Sequence, residues 1–169
     1  ITNYGSDSIG IKINSSSANS LSNNIINTSG TGQSYGIYLE SSQNNTLSNN
    51  TITTRGYMSN FAIYLFTNSN YNNILSNTMT TFAEDGMGIY LFTNSDYNNI
   101  SSNIIKTSGP VSHGFWIDSS SNNIFSNNNI TSSGQSGHGI YFLYSSNNSF
   151  SGMNIFLKFL LIEIGSGFF

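Results

Sequence analysis

The chain has 169 residues, a formal net charge of -3 at pH 7 and only 7% charged residues, where an ordinary soluble domain has about 25%. Four basic residues cannot neutralise a run of phosphates, which excludes a nucleic-acid partner. The absence of cysteine excludes disulfides and thiolate metal sites. The longest apolar run, 155–162, contains a lysine and falls well short of the roughly 20 residues of a membrane span, so we expect no insertion into a bilayer.

The first predicted element is a short apolar phrase with a small second residue, and it recurs through the whole chain. It reads Ile-Gly-Ile-Lys-Ile at 9–13, and its second residue returns at positions 36, 62, 88, 114 and 139, so the step is 26 residues and finally 25. Period-2 alternation predicts a strand whose third and fifth residues point inward. The two predicted inward columns are Ile11, Ile37, Ile63, Ile89, Phe115 and Ile140, and Ile13, Leu39, Leu65, Leu91, Ile117 and Phe142.

Two further apolar positions follow in every unit and predict a second and a third strand. The second strand is expected to place inward Leu21, Leu47, Leu75, Phe125 and Phe150, with Ser101 as the exception. The third strand is expected to place inward Ile26, Ile52, Met79, Ile105, Ile130 and Ile155. Clusters of Gly, Ser and Thr then close the unit as turns.

Asparagines recur around the second strand in every unit. Identical amides in register donate and accept hydrogen bonds along a column, so we interpret these residues as structural ladders at buried turns. The predicted ladder is Asn19, Asn45, Asn73, Asn99, Asn123 and Asn148, and a companion series is Asn23, Asn49, Asn77, Asn103 and Asn127, with Gly152 at its end.

These units predict an all-β fold, a right-handed parallel β-helix of about six coils of 26 residues with three short strands per coil. The strand phrases align with their copies one unit away, which favours parallel stacking in register over hairpins. A coil of 26 residues is too long for a left-handed helix of hexapeptides. At about 4.8 Å per coil, six coils form a rod on the order of 29 Å long.

The two ends of the chain depart from the repeat. Ile1 stands nine residues before Gly10, as Ile130 stands nine before Gly139, which predicts an incomplete first coil. Since a solenoid needs capping repeats, we expect residues 1–155 to be a β-helix repeat domain from a longer chain. The rest of that chain is an expected partner of this domain. Residues 156–169 abandon the repeat and are expected to form an apolar tail or cap.

The last unit carries a family resemblance. Residues 139–142, Gly-Ile-Tyr-Phe, and 145–150, Ser-Ser-Asn-Asn-Ser-Phe, resemble the parallel β-helix repeats of NosD-like proteins and of carbohydrate-binding or sugar-hydrolase β-helix proteins. The resemblance covers residues 1 to about 155 and is specific for the fold. It implies an extracellular, cell-surface or periplasmic protein, whose relatives include surface proteins, copper-processing periplasmic proteins and polysaccharide enzymes.

An outward aromatic column is the most informative surface feature of the sequence. Aromatic side chains that line one sheet face stack on sugar rings and offer polar groups to hydroxyls, which predicts a polysaccharide or glycan contact. The alternative is mutual support of aromatic side chains across neighbouring strands, or cover by a missing part of the protein. The candidate carbohydrate-binding residues are Tyr38, Tyr64, Phe66, Tyr90, Phe92, Trp116 and Tyr141.

Candidate chemistry beyond this surface is sparse. His113 and His138 lie one coil apart, but two histidines without a carboxylate are an incomplete metal site, so stacking is the favoured role and no metal or cofactor is expected. Glu40 and Asp118 share an outward column but stand three coil steps, or roughly 14 Å, apart, beyond either catalytic spacing of a glycosidase.

The leading hypothesis is therefore a non-catalytic structural or carbohydrate-binding β-helix segment of an exported or cell-surface protein. One alternative is a fragment of a polysaccharide-acting hydrolase or lyase whose catalytic residues lie in missing coils. Another alternative is a periplasmic accessory protein of the NosD type, with docking as its task.

Overall fold

The computed structural model describes residues 1–158, and all its regular elements in that range are β-strands. No helix among these residues is long and apolar enough to cross a membrane. In chain order the strands are β1 (Thr2–Tyr4), β2 (Ser8–Asn14), β3 (Ser20–Ser22), β4 (Ile25–Gly30), β5 (Ser34–Glu40), β6 (Thr46–Ser48), β7 (Thr51–Gly56), β8 (Asn60–Phe66), β9 (Asn73–Leu75), β10 (Thr78–Phe82), β11 (Met87–Phe92), β12 (Asn99–Ser101), β13 (Ile104–Ser108), β14 (His113–Asp118), β15 (Ile124–Ser126), β16 (Asn129–Ser132), β17 (Ile140–Leu143), β18 (Ser149–Ser151) and β19 (Asn154–Leu157).

The strands form three parallel sheets along the length of the molecule. Sheet A has the order β1-β4-β7-β10-β13-β16-β19, sheet B β2-β5-β8-β11-β14-β17, and sheet C β3-β6-β9-β12-β15-β18. Each strand pairs with the strand one coil further along the chain, as β5 does with β8 and β8 with β11. We number the coils one to six by their sheet B strands, β2 to β17. The predicted parallel β-helix with three strands per coil is confirmed.

The core consists of columns of like residues, one or two from each sheet. In sheet B, Ile37, Ile63 and Ile89 lie in register on neighbouring strands and are fully buried. The third strand contributes a second such column, from Ile26 to Ile130, as predicted. Because each coil adds one layer to every column, burial depends on the coil above and the coil below.

The second strand differs from the prediction in coils three and four. The register places Ile74 beside Leu47 and Ile100 beside Phe125, and these two isoleucines are fully buried, while Leu75 and Ser101 are only half-buried. The inward positions predicted for Leu75 and Ser101 are therefore wrong. In these coils the turn before the second strand is one residue longer, and a shift of one residue moves each side chain to the opposite face.

Two buried asparagine ladders run along the corners at either end of the sheet C strands. In the first ladder, Asn72 Oδ1 accepts hydrogen bonds from the backbone N–H and the Nδ2 of Asn45, at 2.8 and 3.0 Å. Asn72 Nδ2 in turn donates to Ser42 O at 3.0 Å and to Asn98 Oδ1 at 3.1 Å. The ladders are Asn19, Asn45, Asn72, Asn98, Asn123 and Asn148, and Asn24, Asn50, Asn77, Asn103 and Asn128.

The asparagine ladders are confirmed as a feature, with corrected membership. Asn73 and Asn99 are not ladder residues: they are half-buried and share one bond of 3.4 Å with each other. In the companion series, Asn23, Asn49 and Asn127 instead take left-handed backbone conformations, with φ of 58°, 55° and 54°. In both cases the residue beside the predicted one enters the corner, because the turn fixes which of two consecutive asparagines points inward.

The predicted tail lies mostly outside the described residues, since 159–169 are not among them. Residues 156 and 157 continue β19, whose register pairs Phe156 with Thr131 and Leu157 with Ser132. The backbone N–H of Lys158 donates to Ser132 O at 3.0 Å.

Candidate binding surface on sheet B

The outer face of sheet B carries three columns of side chains because the inward–outward alternation is interrupted at the second residue of the repeated phrase. The register pairs Tyr35 with Phe61 and Ile37 with Ile63 and leaves the residue between them unpaired on both strands, so Tyr35 and Tyr38 both point outward with two residues between them. The columns are Ile9, Tyr35, Phe61, Met87, His113 and His138; Lys12, Tyr38, Tyr64, Tyr90, Trp116 and Tyr141; and Asn14, Glu40, Phe66, Phe92, Asp118 and Leu143.

We call the aromatic members of these columns the aromatic strip. Its residues are Tyr35, Tyr38, Phe61, Tyr64, Phe66, Tyr90, Phe92, Trp116 and Tyr141. The strip unites all seven candidate residues of the sequence prediction on one sheet face. Their role in carbohydrate binding stays a prediction.

Strand spacing stacks the central rings of the strip on one another. The ring centroids of Tyr38 and Tyr64 are 5.2 Å apart at 16°, and those of Tyr64 and Tyr90 are 5.0 Å apart at 10°. Tyr64 is only 9% exposed. The faces of these rings therefore cover each other.

The two ends of the central column differ. At one end the Lys12 ammonium lies 4.9 Å from the centroid of the Tyr38 ring and 2.8 Å from Glu40 Oε2. Toward the other end, one coil before Tyr141, the Trp116 ring is tilted by 40° to Tyr90. Lys12 thus covers the outermost ring face by a cation–π contact, whereas Trp116 interrupts the parallel stack.

The hydroxyls of Tyr38, Tyr64 and Tyr90 stay protonated. Burial is the main cause that raises the pKa of Tyr64 and Tyr90, and the charge of Asp118 adds to it. Burial first, and then Glu40, raises the pKa of Tyr38 to about 12. Among the described residues none hydrogen-bonds the hydroxyl of Tyr64 or of Tyr90. Both groups are therefore neutral and free to donate and accept at physiological pH.

The two histidines form a hydrogen-bonded pair beside the strip. His113 Nδ1 accepts the backbone N–H of His138 at 3.0 Å and lies 3.1 Å from His138 Nδ1. Because His113 Nδ1 is an acceptor, the geometry assigns the proton between the rings to His138 Nδ1. No third His, Cys, Asp or Glu completes a metal cluster with them within residues 1–158.

The His113 pair makes stability depend on pH. Burial, and then His138, lowers the pKa of His113 from 6.5 to about 4. Below about pH 6.5 the imidazole of His113 therefore binds a proton in the unfolded chain but not in the folded chain. The free energy of unfolding that this difference contributes above that pH is lost progressively as the pH falls to about 4. A His113→Met variant carries the residue that Met87 provides one coil earlier. Between pH 7 and 4.5 we expect its free energy of unfolding, measured by urea denaturation, to fall less than that of the native chain. An equal loss in both proteins would contradict this role.

The two acids of the outer columns stay apart. Successive pairings place Glu40 beside Phe66, Phe66 beside Phe92, and Phe92 beside Asp118. Asp118 is 8% exposed, and its Oδ1 accepts the hydroxyl of Ser119 at 2.8 Å. Since three coil steps separate the carboxylates, they flank the strip and do not form a pair.

Sequence reasoning missed a second exposed aromatic pair. Tyr71 and Tyr97 stack at 5.1 Å and 8° in the turns between sheets B and C. The signal was available, because residues 65–74 and 91–100 are identical except at one position.

Comparison with protein-family models gives a match over most of the chain. The family model described as the right-handed beta helix region matches residues 1–155. No curated protein matches the chain. The matched range agrees with the extent of the repeat in the sequence and in the three sheets.

Proposed function

Since the chain belongs to the right-handed β-helix family, we propose that it is a non-catalytic, polysaccharide-binding segment of an exported or cell-surface protein, with the aromatic strip as its contact surface. The observation that carries the proposal is the continuous aromatic strip itself, on one outer sheet face. Contiguous surfaces of this kind usually mark binding sites.

The dimensions and chemistry of the strip suit an extended, weakly charged polymer. From Tyr38 to Tyr141 the central column spans four coil steps, or roughly 19 Å at the strand spacing. The protonated hydroxyls of Tyr64 and Tyr90 match sugar hydroxyls, which also donate and accept. Beside Phe66, the carboxylate of Glu40, which pairs with Lys12, adds an acceptor.

A Tyr64→Phe, Tyr90→Phe double variant separates binding from packing. The rings keep their stacking and lose only the hydroxyls, so stability should change by less than about 1 kcal/mol. If the hydroxyls contact sugar, affinity should fall about tenfold, as expected for two lost hydrogen bonds. The measurement is a glycan array for the native chain, followed by affinity electrophoresis of both proteins in gels that contain the polysaccharide bound best.

A Tyr35→Phe variant is the matched control for this experiment. Tyr35 belongs to the same strip, but its hydroxyl donates to Gln33 Oε1 at 2.6 Å and is therefore engaged within the protein. We expect its affinity to stay near the native value. Unchanged affinity of the double variant, or absence of glycan binding by the native chain, would count against the proposed function.

A further inference from the structure

Coils three and four carry a turn that the other coils lack. We call the segments 66–72 and 92–98 the paired turns. Each contains two consecutive residues in the left-handed region, Thr67 and Asn68 at φ 45° and 57°, and Thr93 and Asn94 at φ 54° and 56°. The extra residue is compensated later in the coil, so the feature is local and confined to two neighbouring coils.

The tyrosines of the paired turns occupy an unfavourable backbone conformation. Tyr71 and Tyr97 have φ of 57° and 58°. The equivalent residues of the other coils also have positive φ, and they are Ala18, Asn44, Asn122 and Asn147. Asparagine tolerates this region better than a bulky side chain does. At these two positions the chain therefore carries a residue that local stability does not favour.

The two tyrosines are also exposed to solvent. They are 50% and 51% exposed, although their rings stack on each other. Beside them, Asn68 and Asn94 are exposed at the tips of the turns. The residue before each tyrosine is polar and binds the next coil. Asn70 Oδ1 accepts the N–H of Asp96 at 2.7 Å, and Asp96 Oδ1 accepts the N–H of Ser121 at 2.6 Å.

Each paired turn therefore presents the same set of groups: a phenol, an exposed amide, and an amide or carboxylate. The set occurs twice, one coil apart, at about 4.8 Å. A ligand that repeats along its own length meets both sets in the same way, whereas a small ligand would use only one. The set is neutral apart from Asp96, which suits hydroxyl-rich groups.

We infer that the paired turns form a second contact for a polysaccharide strand that runs along the solenoid axis. The contact continues the aromatic strip, because Phe66 and Phe92 end the sheet B strands and begin the paired turns. This inference rests on the proposed function and adds Tyr71, Tyr97, Asn68, Asn94 and Asp96 to it.

A Tyr71→Asn, Tyr97→Asn variant tests the inference. It installs the residue that three other coils use at this position, so the free energy of unfolding should be unchanged or higher. Affinity for the best polysaccharide of the native chain should fall about tenfold, as expected for two aromatic contacts. Both quantities are measured on the same preparation, by urea denaturation and affinity electrophoresis.

Tyr144→Ser provides the matched control. Tyr144 is 84% exposed with φ of 49°, and the equivalent residues include Ser15, Ser41 and Ser119. We expect the Tyr144→Ser variant to bind the polysaccharide with the affinity of the native chain. Native affinity of the Tyr71→Asn, Tyr97→Asn variant, or an equal loss in Tyr144→Ser, would overturn the inference. Suppose that the native chain binds the polysaccharide and that the Tyr64→Phe, Tyr90→Phe variant binds it more weakly. Either of the two outcomes just named then overturns this inference and leaves the proposed function standing. Absence of binding by the native chain overturns both.

Discussion

Asn72→Ala should lower the free energy of unfolding by about 4 kcal/mol, because it leaves two buried backbone groups without partners at about 1–3 kcal/mol each. These groups are the N–H of Asn45, which donates to Asn72 Oδ1, and the carbonyl of Ser42, which accepts from Asn72 Nδ2. Asn72 and Asn45 are fully buried, so water does not replace the lost bonds. Urea denaturation with an unchanged m-value is the measurement.

Asn73→Ala is the matched control, because it removes the same side chain from the next residue. Asn73 makes a single side-chain bond, accepted from Asn99 Nδ2 at 3.4 Å, and is half-buried. We expect a change below about 0.5 kcal/mol. A larger loss for Asn73→Ala than for Asn72→Ala would mean that the ladder follows the register predicted from the sequence.

Gly88→Ala should lower the free energy of unfolding by about 3 kcal/mol, at the upper end of the effects of overpacking. A Cβ atom at Gly88 would lie 2.6 Å from Gly114 O and would clash with Cγ2 of Ile105. The same clash with an isoleucine Cγ2 exists at the equivalent glycines of four other coils. Thermal and urea denaturation both measure the effect.

Coil three shows how the clash at the glycine position is relieved, since it carries Ala62 at that position and Met79 at the isoleucine position. Methionine is unbranched at Cβ and leaves room for the alanine Cβ. We therefore expect Ile105→Met, which alone costs less than about 1.5 kcal/mol, to recover at least about 1 kcal/mol of the loss in a double-mutant cycle. Purely additive losses would contradict the pairing.

The fold and most core columns could be predicted because the solenoid repeats its pattern. The 26-residue step fixes which phrases stack, and alternation fixes which side chains of the first and third strands point inward. The same constant step concealed the inserted residue of coils three and four. There the longer turn before the second strand is offset by a shorter connection after the third strand, as between Met79 and Ile89.

The candidate surface was predicted in its residues but not in its geometry. The sequence places Tyr38, Tyr64 and Tyr90 in one outward column, and the structure agrees. Ring orientation depends on side-chain torsions and on neighbours in adjacent columns, such as Phe61, which a sequence pattern does not encode. Tyr71 and Tyr97 were missed because tyrosine is not expected at a turn position with positive φ.

Acrylamide quenching of Trp116 fluorescence tests the binding surface most directly. Trp116 is the only tryptophan of the chain and lies in the aromatic strip. If the strip binds polysaccharide, saturating amounts of the polysaccharide identified on the array should lower the quenching constant, because the bound strand shields the indole. An unchanged quenching constant under conditions in which affinity electrophoresis shows binding would place the ligand elsewhere and contradict the account.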